Sequence, residues 1–391
     1  MIAFFGDRIL DLIDHGLAHG AIDATLPNGK VRVIGGHADG PRAVVRINRW
    51  RALRRLAAGG SAGWFEAWAA GEWSSPEPVI LFELFMLNRR TLGSVARARG
   101  VSQVLHRVRH WLRNNDRAGA KRNAAAHYDL GNDFYRAWLD PSLTYSSALF
   151  AEPVSAAQTL EDAQRNKLCA ILARTGARPG DTILEIGCGW GSFATVASEA
   201  GISLHGITLS KEQKAFVDAQ HLPGVSISLT DYRDVSGQYD AVASVEMVEA
   251  VGAAFWPDYL RAIATALKPN GRAAIQFIAI DDAIFDAYAS GVDFIQRYIF
   301  PGGMLISESR FRALAENIGF AWQDRHSFGP HYAETLSRWR LAFDEAVQQN
   351  RLPGRFDADF VAMWRYYLMY CEGGFRGGGI DVVQVTLVKE G

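Results

Sequence analysis

An α/β fold, with a parallel sheet covered by helices and a small α+β domain ahead of it, is what this 391-residue sequence predicts. Apolar runs at 183–186, 204–207, 225–229, 241–245 and 273–278 are separated by helix-length segments, the pattern of a parallel sheet buried on both faces. The first run passes straight into Gly-Cys-Gly-Trp-Gly at 187–191, a strand-to-helix turn. The last stretch, Asp381 to Val388, alternates like an edge strand.

The N-terminal part reads differently. Between Ala21 and Ile47, strand-like segments are divided by Pro27-Asn28-Gly29 and Asp39-Gly40-Pro41, both turn signals, and helical stretches flank them. Between Arg97 and Arg122 eight lysines and arginines accompany one acid, Asp116, with Val101, Val104, Leu105, Val108 and Leu112 along one helical stripe. Taken alone, this segment reads as a connector whose stripe packs on its own protein, although a basic amphipathic helix also suits an anionic lipid surface. The expected division is 1–118, N-terminal domain and basic linker, and 119–391, the parallel-sheet domain. Residues 281–305 and 333–375 exceed a bare sheet. They are helical and aromatic, with Trp339, Phe343, Trp364, Tyr366, Tyr367, Tyr370 and Phe375, and helices added over the ligand end of a sheet are where an apolar channel is built.

Composition narrows the function. With 49% apolar residues the chain can bury a large core, and a net charge of −1 argues against a general nucleic-acid binder. Three cysteines, Cys169, Cys188 and Cys371, are too few and too scattered for a disulfide frame or zinc site, so no metal is expected and a reducing, cytoplasmic compartment is the simplest reading. The opening residues lack a basic leader and meet Asp7, Asp11 and Asp14, against a signal peptide. The longest apolar stretch, 79–87, is interrupted by Glu83 and falls far short of the roughly 20 residues that span a bilayer.

The glycine turn suggests a nucleotide-type cofactor. Gly187 and Gly189 can bring the main chain close to a ligand, and Glu185 can accept hydrogen bonds from a ribose. A dinucleotide site spaces its third glycine one residue further on. The second strand ends in Thr208 and Ser210 rather than the acid expected for a nicotinamide ribose, and Asp231-Tyr232 follows the third strand. Three successive strand ends with polar groups fit S-adenosylmethionine better than NAD.

Eight ordered motifs then converge. His127-Tyr-Asp-Leu-Gly-Asn-Asp-Phe-Tyr, Leu143-Thr-Tyr-Ser-Ser, Leu184-Glu-Ile-Gly-Cys-Gly-Trp-Gly, Gly206-Ile-Thr-Leu-Ser-Lys-Glu-Gln, Asp231-Tyr-Arg-Asp, Val248-Glu-Ala-Val-Gly, Tyr298-Ile-Phe-Pro-Gly-Gly and Tyr370-Cys-Glu-Gly-Gly-Phe occur as in cyclopropane-fatty-acyl-phospholipid synthases, which this sequence resembles over about 120–391. The first 115 residues more loosely resemble that family's lipid-contacting domain. The resemblance implies a Rossmann-like methyltransferase sheet with helical acyl-binding insertions, S-adenosylmethionine as methyl donor, and the double bond of an unsaturated phospholipid acyl chain as nucleophile. It also implies a carbocation that loses a proton to a bound bicarbonate, peripheral contact with an anionic membrane surface, and a homodimer. Exclusion of water and alignment of the weakly nucleophilic alkene are what such chemistry demands of a site.

Carried over residue by residue, the resemblance places Tyr145 and Ser146 in a segment over the cofactor, with Glu185, Gly187, Gly189, Thr208, Gln213, Asp231 and Tyr232 around it. Gln213 also has capping-box spacing from Ser210, a structural alternative. The bicarbonate cup maps to Ser147, Glu249, Gln276 and Tyr332, with His127 on the cofactor or cup side. Two positions depart from the family, which has cysteine at 147 and histidine at 276. Serine and glutamine can still donate to an oxyanion, so the cup persists in altered form or another base acts, with a methylated alkene as the alternative product. Glu246 lies three residues before Glu249, and a strand-end glutamate is as often a hydrogen-bonding support as a catalyst. Cys371 reads as packing. A small-molecule N-methyltransferase is the competing class, because an amine brings its own lone pair and needs no cup.

Overall fold

The computed structural model describes residues 2–92 and 130–390, with side chains from Gly6 onward. His127 and the basic segment 97–122 lie outside the described residues. The chain forms two compact units, and Asp281–Pro301 and Gly354–Ile380 pack in the one that holds the N-terminal residues. A single boundary at 118/119 puts those two stretches with the parallel sheet instead. The Rossmann-like sheet belongs to the other unit, with Gly302–Pro353 and the C-terminal strand.

In the first unit, α1 (Ile2–Gly16) is followed by β1 (Ala21–Thr25), β2 (Val31–Gly35) and β3 (Arg42–Ile47), then α2 (Arg51–Ala69), β4 (Trp73–Ser74) and α3 (Pro78–Leu87). The strands form a four-stranded sheet in the order β2-β1-β3-β4. The expected turn at 27–29 is present: Gly29 takes φ +81° and donates its N–H to the Leu26 carbonyl at 2.9 Å. Proline at the start of α3 costs no hydrogen bond, because the first N–H groups of a helix have no internal partner. Against α3 lies a long helix at Ala358–Arg376. A Cβ on its Gly373 would come within 2.4 Å of the Phe82 Cβ, so the Glu-Gly-Gly-Phe motif is a close helix contact. Phe65, Phe294, Tyr298 and Tyr366 meet at ring separations of 4.8 to 5.7 Å in this unit.

The second unit is built on β5 (Thr182–Ile186), β6 (Ser203–Thr208), β7 (Val225–Leu229), β8 (Tyr239–Val245), β9 (Leu267–Ile280), β10 (Ile306–Ser307), β11 (Phe320–Ser327) and β12 (Ile380–Lys389). Their order is β11-β12-β9-β8-β5-β6-β7, with β10 beside β9. β5 through β9 pair in parallel, while β11 runs antiparallel to β12. The C-terminal stretch is not the edge strand its alternation predicts: β12 lies between β11 and β9, residues 382–387 are buried without interruption because both neighbours and both faces cover them, and β11 takes the edge. Ile183, Leu184, Val242, Ala274 and Ile275 are wholly buried, which is why these strands read as near-continuous apolar runs. The chain winds outward from β5 to β7 and returns to β8 on the other side of β5. Strand order therefore reverses between β5 and β8, and a crevice opens at their carboxyl ends, the usual ligand site of such sheets.

Candidate active site

Gly187 and Gly189 form the turn that leaves β5, with φ of +85° and +53°. A side chain at Gly187 would strike Met247, whereas a Cβ at Gly189 would meet nothing within 4 Å. Gly187 is thus needed for packing and Gly189 for open space beside the backbone. Glu185, on β5 just before the turn, is buried, and its Oε2 has no partner. Burial pushes its carboxyl up to about 8, against the pull of the Lys167 charge. At the end of β6, the Thr208 hydroxyl donates to Gln213 Oε1 at 2.7 Å. Ser210 caps the following helix by accepting from the Gln213 N–H, but its own N–H goes to Thr208 Oγ1, so the reciprocal half of a capping box is missing. Gln213 Nε2 is buried and unpartnered.

A carboxylate acceptor, an amide donor and an open glycine backbone are the groups that ribose hydroxyls and an amino-acid tail require, so these residues fit S-adenosylmethionine. Beyond β7, Asp231 receives both its own Arg233 N–H and the Arg233 guanidinium, at 2.7 to 3.0 Å, and that guanidinium lies 5.1 Å from the Tyr232 ring centre. Tyr145 is half-buried among Tyr135, Trp138 and Trp339, with ring centres 5.2 to 5.8 Å away. Trp190 of the glycine turn contacts Tyr135 at 4.7 Å and donates to Asn132 at 2.8 Å, tying segment 130–150 to the turn.

The cup residues are brought together, but not around Glu249. Glu246 follows β8 with φ +49°, a left-handed conformation that costs a non-glycine residue roughly 1–3 kcal/mol. Its carboxylate is where three of the expected cup residues point. Oε1 accepts from the Ser147 backbone N–H and from Gln276 Nε2, both at 2.8 Å, and Oε2 accepts from the Tyr332 hydroxyl at 2.7 Å. Gln276 is held in turn by Gln384, which donates to its Oε1 at 3.0 Å. The Ser147 hydroxyl does not face the cup, because it donates to the Ala148 carbonyl. Tyr332 stands on a helix at Gly329–Gln348, whose Thr335 and His331 accept the N–H groups of Ala148 and Phe150 and so fix the backbone around Ser147.

Glu249 sits apart. Its Oε1 accepts the Ile278 N–H, while its Oε2 is buried without a partner. Burial, with the Glu246 charge beside it, pushes this carboxyl up to about 8. Burial also raises Glu246, but the bonds from Tyr332 and Ser147, the Lys167 charge and the bond from Gln276 all favour its ionised form. A bicarbonate ion would require the donors that Glu246 already holds and would add charge beside it, so the residues present do not fit that group.

Lys167 went unnoticed in the sequence. It is fully buried on a helix at Leu160–Thr175, donates to Ser146 Oγ at 2.6 Å, and is pushed down to about 8 by burial against the attraction of Glu246, Asp140 and Glu185. Its signal was its position: Ala163, Lys167 and Ile171 recur every four residues along the inward stripe.

Fold and crevice together define a Rossmann-like methyltransferase dependent on S-adenosylmethionine. Residues 115–385 match the family model for mycolic acid cyclopropane synthetase, and the chain belongs to this family. It is 39% identical to a tuberculostearic acid methyltransferase of Mycobacterium tuberculosis, over 91% of this chain and 86% of that protein. It is 33% identical to a cyclopropane-fatty-acyl-phospholipid synthase of Escherichia coli, over 89% and 88%. A mycolic acid cyclopropane synthase solved with SAH and CTAB superposes with a TM-score of 0.64 at 30% identity, covering 69% of this chain and 98% of that one. A coclaurine N-methyltransferase superposes at 0.63 over 83% of this chain and 98% of its own, and at 17% identity it shares the fold alone. Among the described residues no helix is long and apolar enough to cross a membrane.

Proposed function

We propose that the enzyme transfers a methyl carbon to the double bond of an unsaturated phospholipid acyl chain. The observation that carries this reading is the pairing of two sites at one strand crevice: unpartnered polar atoms at Glu185 and Gln213 for the donor, and a buried carboxylate cluster beyond it for the proton that must leave. S-adenosylmethionine, when bound, supplies an electrophilic methyl group on a sulfonium. Glu185 would accept from its ribose hydroxyls, Gly189 would admit the ligand to the backbone of the turn that Gly187 shapes against Met247, and Thr208, Gln213, Asp231 and Tyr232 would line the remainder. Tyr145 and Ser146 would cover it, with Lys167 fixing the Ser146 hydroxyl. The aromatic packing of Tyr135, Trp138, Tyr145 and Trp339 would exclude water from an alkene drawn into line with the methyl group.

Loss of a proton from the added carbon closes a cyclopropane ring. The second reading, a methylated alkene, is favoured by Ser147 and Gln276 in place of the family's cysteine and histidine and by likeness to a tuberculostearic acid methyltransferase. An amine substrate has no use for the carboxylate cluster. Access to the bilayer would come from the basic segment 97–122, and the homodimer implied by the resemblance is tested by static light scattering of the purified chain.

Mass spectrometry of lipids from a host lacking its own synthase tests the proposal. Gain of one CH2 unit in unsaturated phospholipids is expected, and ozonolysis then separates ring from alkene. Methyl label appearing only in amines would overturn it.

A further inference from the structure

We infer that Glu246 is the built-in base of this enzyme, its side-chain carboxylate standing where a diffusible oxyanion would otherwise be held. The inference rests on the proposed methyl transfer to an alkene. Three donors from three separate elements, the Ser147 N–H, the Gln276 amide and the Tyr332 hydroxyl, converge on this one carboxylate at 2.7 to 2.8 Å. A carboxylate offers about four lone-pair sites, and these bonds fill three of them. Oε1 has two N–H donors, neither of which can accept, so it cannot take a proton without losing a partner. The remaining site is on Oε2, beside a tyrosine hydroxyl that can turn from donor to acceptor. The left-handed backbone of Glu246 is a second sign that the position is held for function, because glycine would adopt it without strain.

The step balances without another reactant. The alkene π pair forms the new C–C bond as the methyl–sulfur bond breaks, its pair remaining on sulfur, and the neighbouring carbon becomes cationic. Glu246 Oε2 then takes a proton from the added carbon, and the released C–H pair closes the ring. In the methylated-alkene reading a hydride first shifts to the cationic carbon from its methyl-bearing neighbour, and the same proton loss leaves a methylene (C=CH2) branch on the open chain. Either way the proton resides on Oε2 until the product departs and solvent removes it. Glu249 is the poorer base, since burial beside Glu246 keeps it protonated at neutral pH.

The experiment uses the full chain with labelled S-adenosylmethionine and vesicles of an unsaturated phosphatidylethanolamine, in buffer stripped of carbon dioxide. Wild-type turnover is expected to be the same with or without added bicarbonate. Glu246→Gln should lower kcat about 10²- to 10⁴-fold, the usual contribution of general-base catalysis. Glu246→Gly, whose backbone suits the position, should be inactive alone and regain turnover on addition of bicarbonate. Carbon-13 resonances of labelled bicarbonate should broaden with Glu246→Gly and not with the wild type. Calorimetric binding of S-adenosylhomocysteine, equal in all three, verifies folding. A wild type that binds or requires bicarbonate, or a Glu246→Gln variant within threefold of wild-type kcat, overturns the inference. If the wild type labels no lipid, the proposed function fails and the base assignment falls with it, while the bicarbonate-binding comparison alone still decides whether Glu246 fills the cup.

Discussion

At the ends of β5 and β6, Glu185 and Gln213 each keep a buried polar atom with no protein partner, whereas at the ends of β8 and β9 the Glu246 carboxylate is met by three donors from its own chain. An unpaired buried polar atom costs about 1–3 kcal/mol, so the first region is complete only with a ligand in place. In the second, the Glu246 carboxylate already has its donors from the protein. One half of the crevice is therefore organised to bind, and the other to hold a charge ready for a reaction.

Four variants sharpen or break that contrast. Glu249→Gln tests the second half through stability. The folded carboxyl is raised from 4.5 to about 8, so its favourable contribution is complete below the unfolded value and is lost as pH rises from about 4.5 to 8. Urea unfolding should find the variant gaining on the wild type by about 4–5 kcal/mol across that window. A constant difference would mean that Glu249 is ionised in the folded protein. Gly189→Val puts a branched side chain at φ +53° into the open space over the turn, and should weaken S-adenosylhomocysteine binding about a hundredfold or more by calorimetry. Unchanged affinity would remove the ligand from that turn. Tyr332→Phe removes one donor from Glu246 and should reduce kcat about tenfold while leaving cofactor affinity intact. Equal losses in binding and turnover would merge the two regions into one. Smallest is Glu185→Gln, which should cost about 1 kcal/mol of S-adenosylhomocysteine affinity by calorimetry, the worth of one hydrogen bond that an amide does not replace.

The cofactor half was legible because its signals are local. Glycines at 187 and 189 report backbone shape directly, and Thr208 and Asp231 follow their strands at fixed offsets. The carboxylate half was legible only in its membership. Ser147, Gln276 and Tyr332 were each expected in a cup, yet Ser147 contributes its main-chain N–H rather than its hydroxyl, and the acid they surround is Glu246, which the sequence offered only as a support. Gln213 shows the converse: its spacing from Ser210 permitted a capping box, and a bond from the Ser210 N–H to Thr208 removed that reading.

Sequence by itself determined the alternation of strands and helices, the glycine turn, the family and the set of polar residues at the strand ends, because each depends on spacing along the chain and on side-chain type. Tertiary structure decided which of two glutamates three residues apart receives the converging donors, that Lys167 is buried against Ser146, and that the helices after 281 and 354 pack with the N-terminal unit. Those outcomes depend on hydrogen-bond directions and on contacts between separate segments, 21 residues apart for Lys167 and Ser146 and 99 for Ser147 and Glu246, where no local periodicity carries the information.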